Sequence, residues 1–226
     1  MATLYLDIQT IPSQQAQLIA QIRHSLKPPA NYSQPDSIAK WYQQQLPAAA
    51  AKKHRQTALD GLYGEIFSIA WAIDDGAVMA FWRDDQASER SLLEQFMLEL
   101  AEVSDSQGRR LPIRRWVGHY ISGFDLRFLW QRCVICRVRP SLALPLDAGL
   151  WDDRVFDTSR MWNGDGNGQS SLAALAQGLA LAEQPGLDGS QIYDLWLAGR
   201  YDEIAAYNRQ AVSLSRALYK RMLFKD

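Results

Sequence analysis

The stretch LYLDIQTIP, residues 4–12, decides how the chain is read. Its Leu, Tyr and Ile content and its alternation mark a buried strand over residues 3–8. Successive side chains of a strand point to opposite faces, so Asp7 and Gln9 share one face and Leu6 and Ile8 the other. A carboxylate at the end of a buried strand suits a hard cation. A second one at position 9 would make a pair, yet position 9 is an amide.

Working outward, residues 14–26 carry a helical period, and KPPANYSQPDS (27–37) reads as a breaker-rich loop. Residues 38–58 read as one or two helices interrupted near Pro47 and ending in KKHR, a solvated helix end or a grip on a substrate. Two apolar runs flank Asp75-Gly76 within 65–84, which predicts a hairpin. A capping pattern at Ser88 opens an amphipathic helix. RRWVGHY (114–120) predicts a short strand, GFDLRFLWQRCVI a helix, and VFDTSRMW (155–162) another short strand. NGDGNGQ (163–169) reads as a rim loop. Helices are expected over 170–181, 190–199 and 201–223. Early strands followed by strands alternating with helices predict one mixed α/β sheet with helices on both faces.

Composition narrows the class. At 226 residues the chain fits one large domain or two small ones. It is 47% hydrophobic and 22% charged, ordinary for a soluble globular protein, with a net charge of -1 that does not announce a nucleic-acid binder. No apolar run approaches the roughly 18 residues that span a membrane, so no membrane association is expected. The start, MATLYLDIQ, has no basic region ahead of an apolar stretch, so a secretory leader is not expected. Two cysteines make no disulfide scaffold, and a reducing cytoplasm is the simplest setting.

Three distant segments carry polar residues of the right kinds: Asp7-Ile8-Gln9-Thr10-Ile11-Pro12, Gly118-His119-Tyr120-Ile121-Ser122-Gly123-Phe124-Asp125, and Tyr207-Asn208-Arg209-Gln210-Ala211. In order and spacing they resemble the three motifs of the DEDD 3′–5′ exonucleases. The chain is most similar to the stand-alone bacterial or prophage proteins related to the exonuclease domain of B-family DNA polymerases. The first motif, Asp-x-Glu-Thr, matches at Asp7, Thr10 and Pro12, with Gln9 in place of Glu. The second, Gly-His-Asn-x-x-x-Phe-Asp, matches at Gly118, His119, Phe124 and Asp125, with Tyr120 in place of Asn. The third, Tyr-x-x-x-Asp, matches at Tyr207, with Ala211 in place of Asp. ALDGLYGEI (58–66), DGS (188–190) and RALYKRM (216–222) also resemble the family, so the likeness covers nearly the whole chain.

The resemblance implies a single ribonuclease H-like exonuclease domain over 1–226. Its mixed five-stranded sheet would be flanked by helices, with a helical insertion after the first strand at about residues 13–60. It implies hydrolysis of phosphodiester bonds at 3′ ends, single-stranded DNA being the expected substrate. Two Mg²⁺ or Mn²⁺ ions about 4 Å apart would clamp the scissile phosphate. In that scheme Asp7 bridges the ions, Asp125 supports the second, positions 9 and 211 complete the shell, and Tyr207 orients the attacking water. A tyrosine at that place marks the "y" branch. Tyr207 and Ala211 lie four residues apart and share a helix face. Ile8, Thr10, Ile11, His119, Tyr120 and Phe124 are the implied substrate contacts, with Tyr120 and Phe124 stacking on terminal bases. Gln9 and Ala211 remove two of the four anionic ligands, so weak metal occupancy and strongly reduced activity are expected. The alternative is a module that binds 3′ ends, or regulates a partner, without cutting.

Other features have plainer readings. His119 reads as a histidine bonded locally at a strand end rather than as a metal ligand. Cys133 and Cys136 have zinc-like spacing but no second pair, and read as small apolar residues on the helix after Asp125. Asp157 is either a cap or a support for the site. Arg109, Arg110, Arg114, Arg115, Arg127, Arg132, Arg137 and Arg139 share a window whose only acid is Asp125. Such a stretch suits phosphate binding, or else scatters around a helix and loops.

Overall fold

The computed structural model describes residues 1–84, 87–164, 170–181 and 188–225. Its sheet comprises β1 (Ala2–Ile11), β2 (Glu65–Ile73), β3 (Met79–Trp82), β4 (Ile113–Gly118) and β5 (Val155–Asp157), in the order β3-β2-β1-β4-β5. β2 is antiparallel to both β1 and β3, whereas β4 is parallel to β1 and β5 to β4. This is the mixed α/β sheet of the ribonuclease H-like fold.

β1 lies at the centre and sorts its side chains by parity. Leu4, Leu6 and Ile8 join one core with Leu93 and Phe96 of α4 (Glu89–Ala101) and with Leu126 and Leu129 of α5 (Asp125–Cys136). Burying one such side chain fully contributes about 1.5–3 kcal/mol. Tyr5 faces the other way, against Val212 and Tyr219 of α9 (Tyr201–Met222). Asp7 and Gln9 share the parity of Tyr5 and therefore point toward α9. Past them the ladder shifts: Gln9 pairs with Ser68 and Thr10 with Ile66, so the register skips Phe67. Phe67, the extra residue on β2, packs in a third cluster with Ile11, Ile192, Leu195 and Ile204.

Between β1 and β2 stand α1 (Ala16–Ser25), α2 (Pro35–Gln44), α3 (Leu46–Gln56) and a 3₁₀ turn (Thr57–Leu59). Pro35 and Pro47 lie in the first turns of their helices, where a missing N–H costs nothing, so they begin these helices and do not break them. The loop expected over 27–37 accordingly ends earlier, at Gln34. Two bonds lock the insertion to the end of β1: Thr10 Oγ1 donates to the Ala58 carbonyl at 2.7 Å, and the Ser13 N–H donates to Thr57 Oγ1 at 3.0 Å.

Of the strand expected over 155–162, only the first three residues are strand. After β5, α6 (Thr158–Asn163) begins at once, because the Asp157 side chain accepts from the Ser159 and Arg160 N–H groups and caps the helix. Of the expected rim loop, Asn163 closes α6, and 165–169 lie outside the described residues. The helix expected over 170–181 is α7 (Leu172–Gly178), and α8 (Ile192–Leu197) follows a 3₁₀ turn (Gly189–Gln191). Among the described residues no helix is long and apolar enough to cross a membrane.

Candidate functional site

The three distant segments meet beyond the end of β4. β4 accompanies β1 only as far as the pair Tyr5–Val117, so the edge of β1 beyond it is open. Asp125, at the first position of α5, reaches across this gap and accepts from the Ile8 N–H at 3.0 Å. From the α9 side, Asn208 Nδ2 donates to Asp7 Oδ2 at 2.6 Å and to the Asp7 carbonyl at 3.1 Å. Gln9 Nε2 donates to the same Oδ2 at 2.7 Å. Ser68 Oγ donates to Asn208 Oδ1 at 2.7 Å and fixes which way that amide faces.

The electrostatics follow from enclosure. Desolvation pushes the Asp7 carboxyl up to about 7, against the opposing pull of the Gln9 and Asn208 amides. Asp125 is raised well above the usual carboxylate range, first by burial and then by the charge of Asp7. Burial, with Asp7 and Asp188 nearby, pushes the Tyr207 phenol up to about 12, so it remains a protonated donor. Asp7, Gln9, Asp125 and Tyr207 are thus brought together. Ala211 is buried on α9 one turn beyond Tyr207 and presents only a methyl group.

The implied substrate contacts divide. Ile8 and Ile11 are 4% and 0% exposed, within two different apolar clusters. Their side chains therefore cannot touch a strand of nucleic acid, which corrects that expectation: the parity that turns Asp7 and Gln9 outward turns Ile8 inward. Thr10 spends its hydroxyl on Ala58 but still lines a groove beside the site. Both ring nitrogens of His119 are engaged, Nδ1 with Thr158 Oγ1 at 3.0 Å and Nε2 with the Ser170 carbonyl at 2.9 Å. Burial holds this imidazole below its usual range. Phe124 is half-buried against Phe128. Tyr120 is exposed and adopts φ 60°, with its ring lying over Gly123, where a Cβ would come within 2.4 Å of the ring.

Asp157 has both of the roles weighed for it. Besides capping α6, its carboxylate accepts from the Tyr120 and Ser122 N–H groups, each at 2.9 Å, and so shapes the loop that delivers Asp125. Asn208 is the residue the motif comparison misses. Its signal is a lone amide on the apolar stripe of α9, in register with Ile204, Ala211, Val212 and Ser215.

Several of the arginines are engaged elsewhere. Arg132 is buried against Glu89, Arg109 pairs with Asp105, and Arg115 binds Asp153 and Tyr219. Arg114 and Arg115 sit early in β4, and Arg137 caps the far end of α5, roughly 18 Å from Asp125 at the rise of a helix. Cys133 is buried and Cys136 half-buried on α5, and desolvation pushes both thiols up to about 12.

The residues present do not fit a pair of divalent cations. Such a pair brings four positive charges and requires oxygen ligands. Here there are two carboxylates, and one oxygen of Asp7 already accepts from two amides. Among the described residues no group of three or more His, Cys, Asp or Glu side chains is placed to hold a metal ion.

Fold and site together define an α/β protein of the ribonuclease H-like architecture, with a carboxylate pair at the open end of its central strand. No protein-family model matches the chain, and no curated protein matches it in sequence. Among solved structures it is similar to the family B DNA polymerase from the hyperthermophilic archaeon Pyrobaculum calidifontis, with a TM-score of 0.60 and 14% identity. The alignment covers 99% of this chain and 24% of the polymerase chain, and at that identity the likeness is one of fold.

Proposed function

We propose that this chain is built as a 3′–5′ exonuclease that engages the 3′ end of single-stranded DNA. Its hydrolytic step is suppressed because two of its four ligand positions are neutral. The observation that carries the reading is the meeting of Asp7, Gln9, Asp125 and Tyr207 at the open end of β1. Four residues separated by up to two hundred positions converge where the sheet leaves an edge unpaired, and two of them are acids of raised proton affinity, Asp7 through desolvation and Asp125 through burial and the charge of Asp7. Tyr207 remains a donor for an oxygen of the terminal phosphodiester. Asp157 holds the loop that delivers Asp125.

The amide bonds on Asp7 favour the neighbouring reading, a module that binds ends without cutting. Trimming of a labelled single strand by the Gln9→Glu, Ala211→Asp variant separates the two. Shortening from the 3′ end that requires Mg²⁺ or Mn²⁺, absent in the chain as it stands, is the expected result. End binding with no trimming by the variant would overturn the nuclease reading in favour of the module.

A further inference from the structure

The insertion between β1 and β2 forms one wall of a groove of about 580 Å³, within the size range of ligand sites. Ala51, Lys52 and Arg55 of α3 line it on one side, and Gly189 and Tyr193 on the other. Two of its lining residues, Thr10 and Gly189, lie beside the site. Thr10, three residues beyond Asp7, forms part of its floor and is bonded to the Ala58 carbonyl of the insertion. A Cβ on Gly189 would lie 3.7 Å from the Tyr207 hydroxyl. The groove therefore leads away from the carboxylate pair and is held in register with it by hydrogen bonds.

We propose that this groove carries the sugar-phosphate backbone of single-stranded nucleic acid just 5′ of the terminal nucleotide, with Lys52 and Arg55 of the insertion contacting its phosphates. The inference rests on the reading of Asp7, Asp125 and Tyr207 as a 3′-end site. Charge argues for a polyanion: the lining includes two cations and no carboxylate. Lys52 is exposed and makes no ion pair among the described residues. Arg55 is bonded to Asp194, but that pair is exposed on both sides, so it is weak and leaves the guanidinium free to take a second acceptor. The walls argue against base stacking at Tyr193. Its ring is already stacked with Trp196 and has the Arg55 guanidinium over it. Leu59, 72% exposed at the mouth, is the available apolar contact for a base. Such a groove grips the backbone without reading sequence, which is how single-strand sites generally work.

The test is fluorescence anisotropy of a labelled oligothymidylate strand with a free 3′ hydroxyl, titrated at several salt concentrations with the full chain and its variants. Lys52→Glu reverses the charge. Ala51→Trp fills the groove from an exposed position and leaves the core intact. Lys40→Glu, exposed on α2 outside the groove, is the control. Both groove variants are expected to weaken binding about tenfold or more, and the control to stay near the parent. Lys52→Glu should also reduce the salt slope by about 0.7, one phosphate contact on a single strand. Parent-like binding by both groove variants, or no binding by the parent chain, overturns the proposal. The same variants placed in the Gln9→Glu, Ala211→Asp background separate it from the nuclease reading. Trimming that is indifferent to Lys52→Glu and Ala51→Trp overturns the groove and leaves the nuclease standing. Groove-dependent binding with no trimming supports the groove and overturns the nuclease.

Discussion

Two acidic clusters sit on either side of the same sheet, and only one is closed. Glu89, at the start of α4, accepts from Arg132 through both carboxylate oxygens, at 2.9 and 2.6 Å, and also from the Ile66 N–H at 2.7 Å. Arg132 also donates an N–H to the Gly61 carbonyl at 3.1 Å. That cluster is neutral and fully bonded, and it ties α4, α5, β2 and the exit of the insertion together. The Asp7–Asp125 cluster is the opposite: two acids of like sign, answered only by amides and a backbone N–H. A buried charge that exists for structure is neutralised within the chain. The open one is not neutralised by a cation, and its carboxyls hold their protons more tightly than usual.

The comparison breaks most visibly if the open cluster is restored. The Gln9→Glu, Ala211→Asp variant should trim 3′ ends at least about a thousandfold faster than the parent, a difference of over about 4 kcal/mol in barrier. In EDTA its melting temperature should fall below the parent's, since four carboxylates then crowd one site, and Mn²⁺ should raise it again. The parent's melting curve should be the same in EDTA and in Mn²⁺.

Opening the closed cluster is the next largest effect. Arg132→Met strands Glu89 without its partner and should cost about 3–5 kcal/mol by urea denaturation. Glu89→Leu added to Arg132→Met should recover most of that loss. No recovery would mean that the pair stabilises the fold beyond the charge it closes.

The open cluster also sets a pH dependence. With Asp7 at about 7 when folded and 3.8 as its ordinary value, the folded chain keeps a proton that the unfolded chain releases. This contribution is greatest below pH 3.8 and is lost as pH rises through about 7. In EDTA at pH 8, Asp7→Asn should therefore be more stable than the parent by the order of 2–4 kcal/mol, and the difference should shrink on acidification. A parent whose stability is flat between pH 4 and 8 would break the contrast between the clusters.

Smaller effects sharpen it. Asn208→Ala leaves Ser68 Oγ without a partner and Asp7 Oδ2 with Gln9 alone, and should cost about 1–3 kcal/mol by thermal melting. Arg109→Ala removes only an exposed pair with Asp105 and should change stability by less than about 0.5 kcal/mol.

How far these clusters can be read in advance depends on the reach of the interaction. Asp7 and Gln9 share a face because strand parity is local, and the stretch LYLDIQTIP already displays it. Tyr207 and Ala211 share a face for the equivalent reason on a helix. Parity, taken seriously, also excludes Ile8 from substrate contact, a point that motif likeness alone obscures. Ser88 announces its helix and accepts from the Ser91 N–H as a cap should. Asp157 was ambiguous, because a cap and a loop clamp look the same until the Tyr120 and Ser122 N–H groups are placed. The arginine window leaves both of its readings open for a related reason: charge along the chain says nothing about whether Arg132 finds Glu89, 43 positions away.

The sequence by itself determined the strand and helix periods, the breakers between them, the order of the three polar segments and the neutral residues at positions 9 and 211. Tertiary structure alone decided that Asn208, 201 positions from Asp7, supplies the amide that holds it, and that Asp125 bonds the free edge of β1. It also decided that Lys52 and Arg55 border the groove leading from the site. The physical reason is range. Backbone periodicity is set by neighbours within a few residues, whereas burial, pairing of charge and the desolvation that shifts a carboxyl arise only when distant segments pack and exclude water.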